Sequence, residues 1–143
     1  MEPKPRHQKF YEYRKILDGL ELNKLFLSRS GFSMAREHLS PNSLIMLKEV
    51  ARFIKRENNI IEIVHEYKLR VVHNESKKQS IKIDCVYNLE YSSKQDFTIA
   101  FFNKFKKTSL PVNTWPFFRE FVNSSTARMN IPPLVLPLLK RII

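Results

Sequence analysis

The chain has 143 residues, enough for one domain with a single hydrophobic core but too few for two. It carries 25 Lys and Arg against 14 Asp and Glu, and the formal net charge of +11 attracts acidic partners without defining a fold. Only two glycines occur, which excludes the glycine-rich phosphate loops of nucleotide-binding enzymes. The one cysteine, Cys85, excludes an internal disulfide and suits a reducing compartment.

We expect one domain over residues 1–143, in which residues 1–15 are a flexible N-terminal segment. This segment is polar and basic and lacks the apolar stretch of a signal peptide. No apolar run approaches the roughly 20 residues that a membrane span requires. These features predict a cytoplasmic protein with no membrane association.

The first predicted strand covers Leu20–Leu27. Its apolar register shifts between Leu22 and Leu25, and a β-bulge would account for the shift. Residues 43–56 are ambiguous. Helical spacing is shown by Leu44, Leu47, Ala51 and Ile54, but a sheet of three strands would need a fourth partner, and this is the one segment that could supply it. Strand and helix both remain open for this segment.

The clearest pattern is a pair of alternating segments, Ile60–Val72 and Ser80–Tyr91. Apolar side chains alternate with charged ones in both, which is typical of half-buried antiparallel strands. The polar residues 74–78 between them predict a hairpin turn. In this pattern His65 and Cys85 fall on the apolar side, so both are expected to be core residues.

The last third of the sequence is predicted to be helical. Gln95–Lys107 has helical spacing, Pro111 should break the chain, and a second helix should begin near Asn113 or Thr114 and end near Asn130. Apolar residues surround most of this second helix, so one sheet cannot cover it and a second subunit is expected to do so. The expected oligomer contacts are Trp115, Phe118, Phe121, Val122 and Met129.

Nothing in the sequence indicates catalysis. The four histidines and the cysteine have no metal-ligand spacing, and no carboxylate pair is evident. We therefore expect a protein that is not an enzyme and that uses no nucleotide, metal or covalent cofactor. Residues 101–107 interleave phenylalanines with lysines, as in some nucleic-acid-binding surfaces, but helical spacing favours buried rings with lysines in solvent.

Residues 115–122 (WPFFREFV) and 126–138 (TARMNIPPLVLPL) resemble the corresponding part of SecB-like chaperones. In that family an aromatic-Pro-aromatic-x-Arg-Glu helix precedes an extended Pro-x-Leu-x-Leu segment. The resemblance implies an α+β fold, with a four-stranded antiparallel sheet and helices packed on one side. It favours a strand for residues 43–51. It also implies dimers or tetramers that hold unfolded polypeptide in apolar grooves without ATP.

The resemblance implies a role in protein export or in protecting the antitoxin of a toxin–antitoxin system. Members that act in export are acidic and carry a further helix and acidic tail, so docking on the export ATPase SecA is in doubt for this basic chain. The alternative function is a basic nucleic-acid-binding module. The residues expected in the client groove are Leu44, Leu47, Ile83, Tyr87, Phe117, Leu134 and Leu136.

Overall fold

The computed structural model describes residues 2, 3 and 5–131, which form four β-strands in one sheet, three α-helices and a single turn of 3-10 helix at Arg36–His38. The elements are α1 (Arg6–Asp18), β1 (Leu20–Met34), β2 (Ser43–Glu57), β3 (Ile60–His73), β4 (Gln79–Ser93), α2 (Ile99–Phe105) and α3 (Ser109–Arg128). The strands lie in the order β1-β4-β3-β2, and every neighbouring pair is antiparallel.

The predicted hairpin is confirmed as β3 and β4, and the bulge predicted in the first strand is confirmed by a register shift between Leu22 and Lys24. With Asn23 inserted, Leu22 and Leu25 point to the same face, opposite Tyr91 and Leu89. Strand β1 is longer than predicted, and a second register shift lies between Leu27 and Arg29.

The ambiguous segment 43–56 is a strand. It continues into β3 through a two-residue turn in which Asn58 and Asn59 have φ angles of 51° and 64°. Left-handed conformations at both central residues are the mark of a type I′ hairpin turn, and asparagine tolerates them better than most residues. Glu57 and Ile60 pair directly across this turn. The turn thus fixes β2 as the antiparallel neighbour of β3.

Both helices of the C-terminal half lie on one face of the sheet, so the predicted α+β class and one-sided helix layer are confirmed. The inward side chains of β3 from Ile61 to Val71, and those of β4 from Ile81 to Tyr91, are at most 8 % exposed. They pack against rings of α2 and α3, as where Phe118 stacks on Tyr67 with a centroid distance of 4.7 Å. The core is therefore a layer of central-strand side chains under aromatic residues of the helices.

Helix α3 begins earlier than predicted, at Ser109, and runs through both prolines. Pro111 does not break the chain because it lies in the first turn, where backbone N–H groups have no partner within the helix. Pro116 removes the bond to the carbonyl of Val112, a residue 62 % exposed on the water-facing side. The predicted end is confirmed: α3 stops at Arg128, and Asn130 takes the left-handed conformation with φ 56°.

The N-terminal segment also differs from expectation. Residues 6–15, expected to be flexible, belong to α1, which docks on α2. The ring of Tyr13 stacks on Phe101 with a centroid distance of 4.9 Å, and Lys104 Nζ lies 4.5 Å from the centre of the same ring. Ile16 and Leu17 pack on the core beside it. The helical spacing of Tyr13, Ile16 and Leu17 was a signal of this helix that the polar composition obscured.

A buried chain of polar groups joins β2, β3 and α3. The hydroxyl of Thr114 lies 2.8 Å from Nδ1 of His65 and 2.9 Å from the hydroxyl of Tyr67, and Nε2 of His65 lies 3.2 Å from a carboxylate oxygen of Glu49. One set of protons satisfies all three contacts: Tyr67 donates to Thr114, Thr114 to Nδ1 of His65, and Nε2–H of His65 to Glu49. In this arrangement His65 is neutral and carries its proton on Nε2.

Burial disfavours the charged imidazole and lowers the pKa of His65 from 6.5 to about 4, despite the neighbouring carboxylate of Glu49. The unfolded chain then binds a proton at His65 that the folded chain does not. This difference makes folding less favourable as the pH falls from about 6.5 towards 4.

We predict that Thr114→Val destabilises the protein by about 1–3 kcal/mol, because it leaves Nδ1 of His65 and the hydroxyl of Tyr67 buried without this partner. Urea unfolding monitored by circular dichroism measures the difference. Thr108→Val is the matched control, since its hydroxyl contacts Tyr13 at an exposed position, and should cost less than about 1 kcal/mol. Equal losses in both variants would contradict the role assigned to the network.

A second prediction concerns pH. His65→Asn retains an acceptor towards Thr114 but cannot take up a proton. Between pH 7 and pH 4 its free energy of unfolding should therefore fall by roughly 3 kcal/mol less than that of the unmodified protein. Urea unfolding at several pH values measures both curves. Parallel curves would show that His65 does not titrate in the unfolding reaction.

Candidate client-binding surfaces

The helices cover the central strands of the sheet more completely than the outer strands. On the helix-bearing face the central strands β3 and β4 are buried. On the same face the outer strands β1 and β2 instead present large apolar side chains that are 36–51 % exposed. Two uncovered margins therefore flank the helices.

The margin on β2 carries Ile45, Leu47 and Phe53, which we call the β2 strip. Each is paired with a buried residue of β3, so all three face the helix side. Ile45 is 51 % exposed, Leu47 36 % and Phe53 37 %. The ring of Phe53 stacks on Phe97 at 5.5 Å and meets Phe102 edge to face, so the strip continues into the aromatic core.

The margin on β1 carries Leu22, Leu27 and Phe32, which we call the β1 strip. They lie opposite buried residues of β4 and are 39–42 % exposed. The ring of Phe32 meets Phe121 of α3 edge to face at 6.4 Å. The β1 strip therefore borders α3 in the same way that the β2 strip borders the aromatic rings around α2.

Both strips lie on the edge strands of the sheet. An edge strand presents backbone donors and acceptors along its outer side, and an extended peptide can pair with them without regard to its sequence. Each margin thus offers apolar side chains and backbone hydrogen-bonding groups side by side. An unfolded polypeptide presents the complementary combination.

The residues predicted from the sequence to form the client groove do not all meet at one surface. Leu47 belongs to the β2 strip, but Leu44 pairs with Val72 on the opposite, helix-free face. Ile83 and Tyr87 are core residues, 0 % and 2 % exposed, and their side chains are closed to a client in this chain. Phe117 is 53 % exposed on α3. The remaining two, Leu134 and Leu136, and the extended segment that contains them lie outside the described residues.

The residues expected at an oligomer contact face inward for the most part. The core of the same chain contains Trp115, Phe118, Val122 and Met129, each at most 4 % exposed. Phe121 is partly buried and packs on the core. Oligomerisation through α3 stays a prediction, and the part of the helix open to a second subunit faces away from the sheet, with Val112 and Phe117, 62 % and 53 % exposed, towards its two flanks.

Sequence reasoning did not identify most of the two strips. It placed Leu47 in a groove, whereas Ile45 and Phe53 on β2, and Leu22, Leu27 and Phe32 on β1, were not singled out. Both edge strands carry apolar residues on each face, so apolar and polar residues hardly alternate along them. The absence of alternation in a strand is itself a signal that neither of its faces is an ordinary solvent-exposed surface.

The potential nucleophile and metal ligands are not arranged for chemistry. Cys85 is fully buried, and burial raises the pKa of its thiol to about 12, so the reactive thiolate is suppressed. Within residues 5–131, no cluster of three His, Cys, Asp or Glu side chains could hold a metal ion. None of the described helices combines the length and apolar character needed to cross a membrane.

The aromatic residues that suggested nucleic-acid binding are core residues. Phe101, Phe102 and Phe105 are 4 %, 7 % and 1 % exposed. Stacking on bases requires an accessible ring face, so these rings cannot provide it. The lysines of this segment lie in solvent around a closed aromatic cluster, as the amphipathic interpretation predicted.

No protein-family model matches the chain, and no curated protein matches it by sequence. Solved structures do match. The SecB-like chaperone Rv1957 of Mycobacterium tuberculosis, in complex with a ChAD peptide from the HigA1 antitoxin Rv1956, aligns with a TM-score of 0.70 at 16 % identity. The alignment covers 89 % of this chain and 95 % of that one. A protein of unknown function from Streptococcus agalactiae aligns with a TM-score of 0.52 at 11 % identity, over 83 % of this chain and 97 % of that one.

The structural match and the resemblance in residues 115–138 agree, although they rest on different observations. One compares the path of the backbone, and the other compares side chains in a single segment. At 16 % identity the match establishes architecture. The chain has the fold of the SecB-like chaperones.

Proposed function

We propose that this protein is an ATP-independent holding chaperone that binds unfolded or aggregation-prone polypeptide along the margins of its sheet. The observation that carries the proposal is the pair of exposed apolar strips on edge strands beside a closed core. Burying such side chains contributes roughly 25 cal/mol per Å² of apolar area without reading a sequence. The fold shared with a SecB-like chaperone that was solved with a bound peptide supports the same function.

The identity of the client is a second, more specific proposal. The structural neighbour holds a peptide from an antitoxin, so we propose an antitoxin segment as one client and export preproteins as the alternative. Both would bind as extended polypeptide, which suits an edge strand flanked by apolar side chains. We place the protein in the cytoplasm, where the single buried Cys85 would remain reduced.

We predict that the protein suppresses aggregation of a chemically unfolded protein in the absence of ATP, and that Ile45→Thr with Leu47→Thr weakens this activity. Threonine preserves strand propensity, so the sheet should persist while apolar area is lost. The affinity for the unfolded protein should fall about tenfold or more. Light scattering measures suppression, and fluorescence anisotropy of a labelled unfolded protein measures affinity.

The matched control is Leu44→Thr with Met46→Thr. These residues lie on the same strand but point to the helix-free face, and they are similarly exposed, 45 % and 47 %. This control should retain holding activity. Equal loss in both double variants would show that the strip is not the client surface, and absence of suppression by the unmodified protein would end the chaperone proposal.

We further propose that the protein forms a dimer or tetramer through the outward side of α3. Val112 and Phe117 expose more than half of their surface there, and a second copy of the chain would remove both from water. Self-association would bring the margins of several subunits together. A longer client could then bind to more than one margin, which raises its overall affinity.

We predict that Phe117→Glu shifts the protein to smaller species in sedimentation velocity, because the carboxylate would be desolvated in the contact. Ile99→Glu is the control, since Ile99 is 78 % exposed on α2 and lies outside the proposed contact. A strictly monomeric unmodified protein at micromolar concentration would contradict the oligomer. So would an equal effect of the two substitutions.

A further inference from the structure

The face of the sheet opposite the helices carries like charges in neighbouring positions. Lys48 of β2 lies directly opposite Lys68 of β3, and in the adjacent row Arg70 of β3 lies directly opposite Lys82 of β4. Side chains opposite each other on antiparallel strands are about 4.5–5.5 Å apart at Cβ, so like charges there destabilise the sheet. Two such pairs side by side form a local concentration of positive charge that the sheet itself does not need.

The acidic groups of this region already contact basic side chains of the same sheet. Asp84 accepts hydrogen bonds from Arg70 at 2.6 and 3.3 Å and lies 3.9 Å from Lys82, while Glu66 lies 3.5 Å from Lys68. Lys48 is exposed and has no acidic partner within 4 Å among the described residues. The quadrant formed by Lys48, Lys68, Arg70 and Lys82, which we call the basic quadrant, therefore has a surplus of positive charge facing solvent.

Next to the basic quadrant the surface is hollow. Gly31 of β1 pairs with Asp84, and the space where a side chain would stand is open, with no atom within 4 Å. A depression of about 500 Å³ surrounds this point, and its charged lining consists of three basic residues, Arg29, Lys68 and Lys82, and two acidic ones, Glu66 and Asp84. A glycine inside a strand weakens the strand and often marks a place where another chain approaches closely. The basic quadrant and the depression at Gly31 therefore lie next to each other on this face.

We propose that the helix-free face of the sheet is a second docking surface, which binds an acidic extended segment of a partner protein, with its carboxylates on the basic quadrant and a side chain over Gly31. Charge complementarity identifies the partner, since alternate carboxylates along an extended chain would face the basic side chains. This face lies on the opposite side of the sheet from the two apolar strips. A partner could therefore be bound while a client occupies the margins.

Two features favour a polypeptide over a nucleic acid. Phe26 is the single aromatic residue on this face among the described strands, so there is no series of rings on which bases could stack. The face also includes Glu62, Glu66, Asp84 and Glu90, which would repel a continuous line of phosphates. Carboxylates spaced along a peptide can match the basic positions and avoid the acidic ones.

The test uses a fluorescein-labelled peptide of alternating Glu and Val residues, long enough to cross the four strands. Fluorescence anisotropy should show binding that weakens as salt is added. Lys48→Glu with Lys68→Glu should reduce the affinity at least about tenfold, because two attractive contacts become repulsive. Lys94→Glu with Lys107→Glu makes the same change in net charge away from this face, and it should leave the affinity within about twofold.

A steric variant tests the depression without any change of charge. Gly31→Leu places a side chain in open space and should weaken peptide binding several-fold while circular dichroism stays unchanged. Both the Gly31 variant and the Lys48/Lys68 variant should still suppress aggregation, which separates this docking surface from the client margins.

The proposal is overturned if the Glu–Val peptide does not bind, or if it binds equally to the Lys48/Lys68 variant and to its charge-matched control. It is also overturned if a Lys–Val peptide of the same length binds as tightly. An oligouridylate that binds more tightly than the peptide, and loses affinity in the Lys48/Lys68 variant, would instead assign the face to nucleic acid.

Discussion

The incomplete cover that the helices give to the edge strands determines most of what this protein presents to its surroundings. Two central strands receive the aromatic residues of α2 and α3 and become a closed core, while the two edge strands receive only partial cover. The hydrophobic effect stabilises the domain through the covered part. The uncovered part leaves apolar surface beside free strand edges, a combination that most globular domains avoid because it invites association. A holding chaperone uses that same property.

How well the sequence predicted each strand depended on how clearly apolar and polar residues alternate along it. In β3 and β4 apolar and polar residues alternate with few exceptions, such as Val64 and Val86, so both strands, their turn and the burial of His65 and Cys85 followed from the sequence. Residues 43–57 have apolar side chains on both faces of the strand, and a helix explained the spacing equally well. The signal that sequence reasoning missed was the pair Asn58–Asn59, because a type I′ hairpin turn requires left-handed conformations at both central residues and asparagine tolerates them. Pro111 was wrongly predicted to break the chain because the sequence did not show that it lies in the first turn of α3, where a proline is tolerated.

The candidate site was harder to predict than the fold because the exposure of a strand side chain depends on whether a helix lies over it. Alternation along a strand shows which side chains share a face, but not whether a helix covers that part of the face. Ile83 and Leu47 both face the helices, yet Ile83 lies on a central strand and is buried, whereas Leu47 lies on an edge strand and is exposed. The basic quadrant likewise arises from cross-strand register. Its members are scattered between residues 48 and 82, and only pairing brings them together.

Strand β1 differs from the other three in how it reaches the sheet. Strands β2, β3 and β4 follow one another as hairpins, whereas β1 is hydrogen-bonded to β4 alone, with Leu20 opposite Ser93. Pairing β1 with β4 closes a loop that contains β2 and β3. Closing this loop costs more entropy than closing a hairpin, so β1 is expected to join the sheet last during folding. Local unfolding reverses this order, and hydrogen exchange should be fastest where β1 meets β4. The β2 strip thus belongs to a continuous meander, whereas the β1 strip belongs to the strand that we expect to separate first and so to uncover the edge of β4.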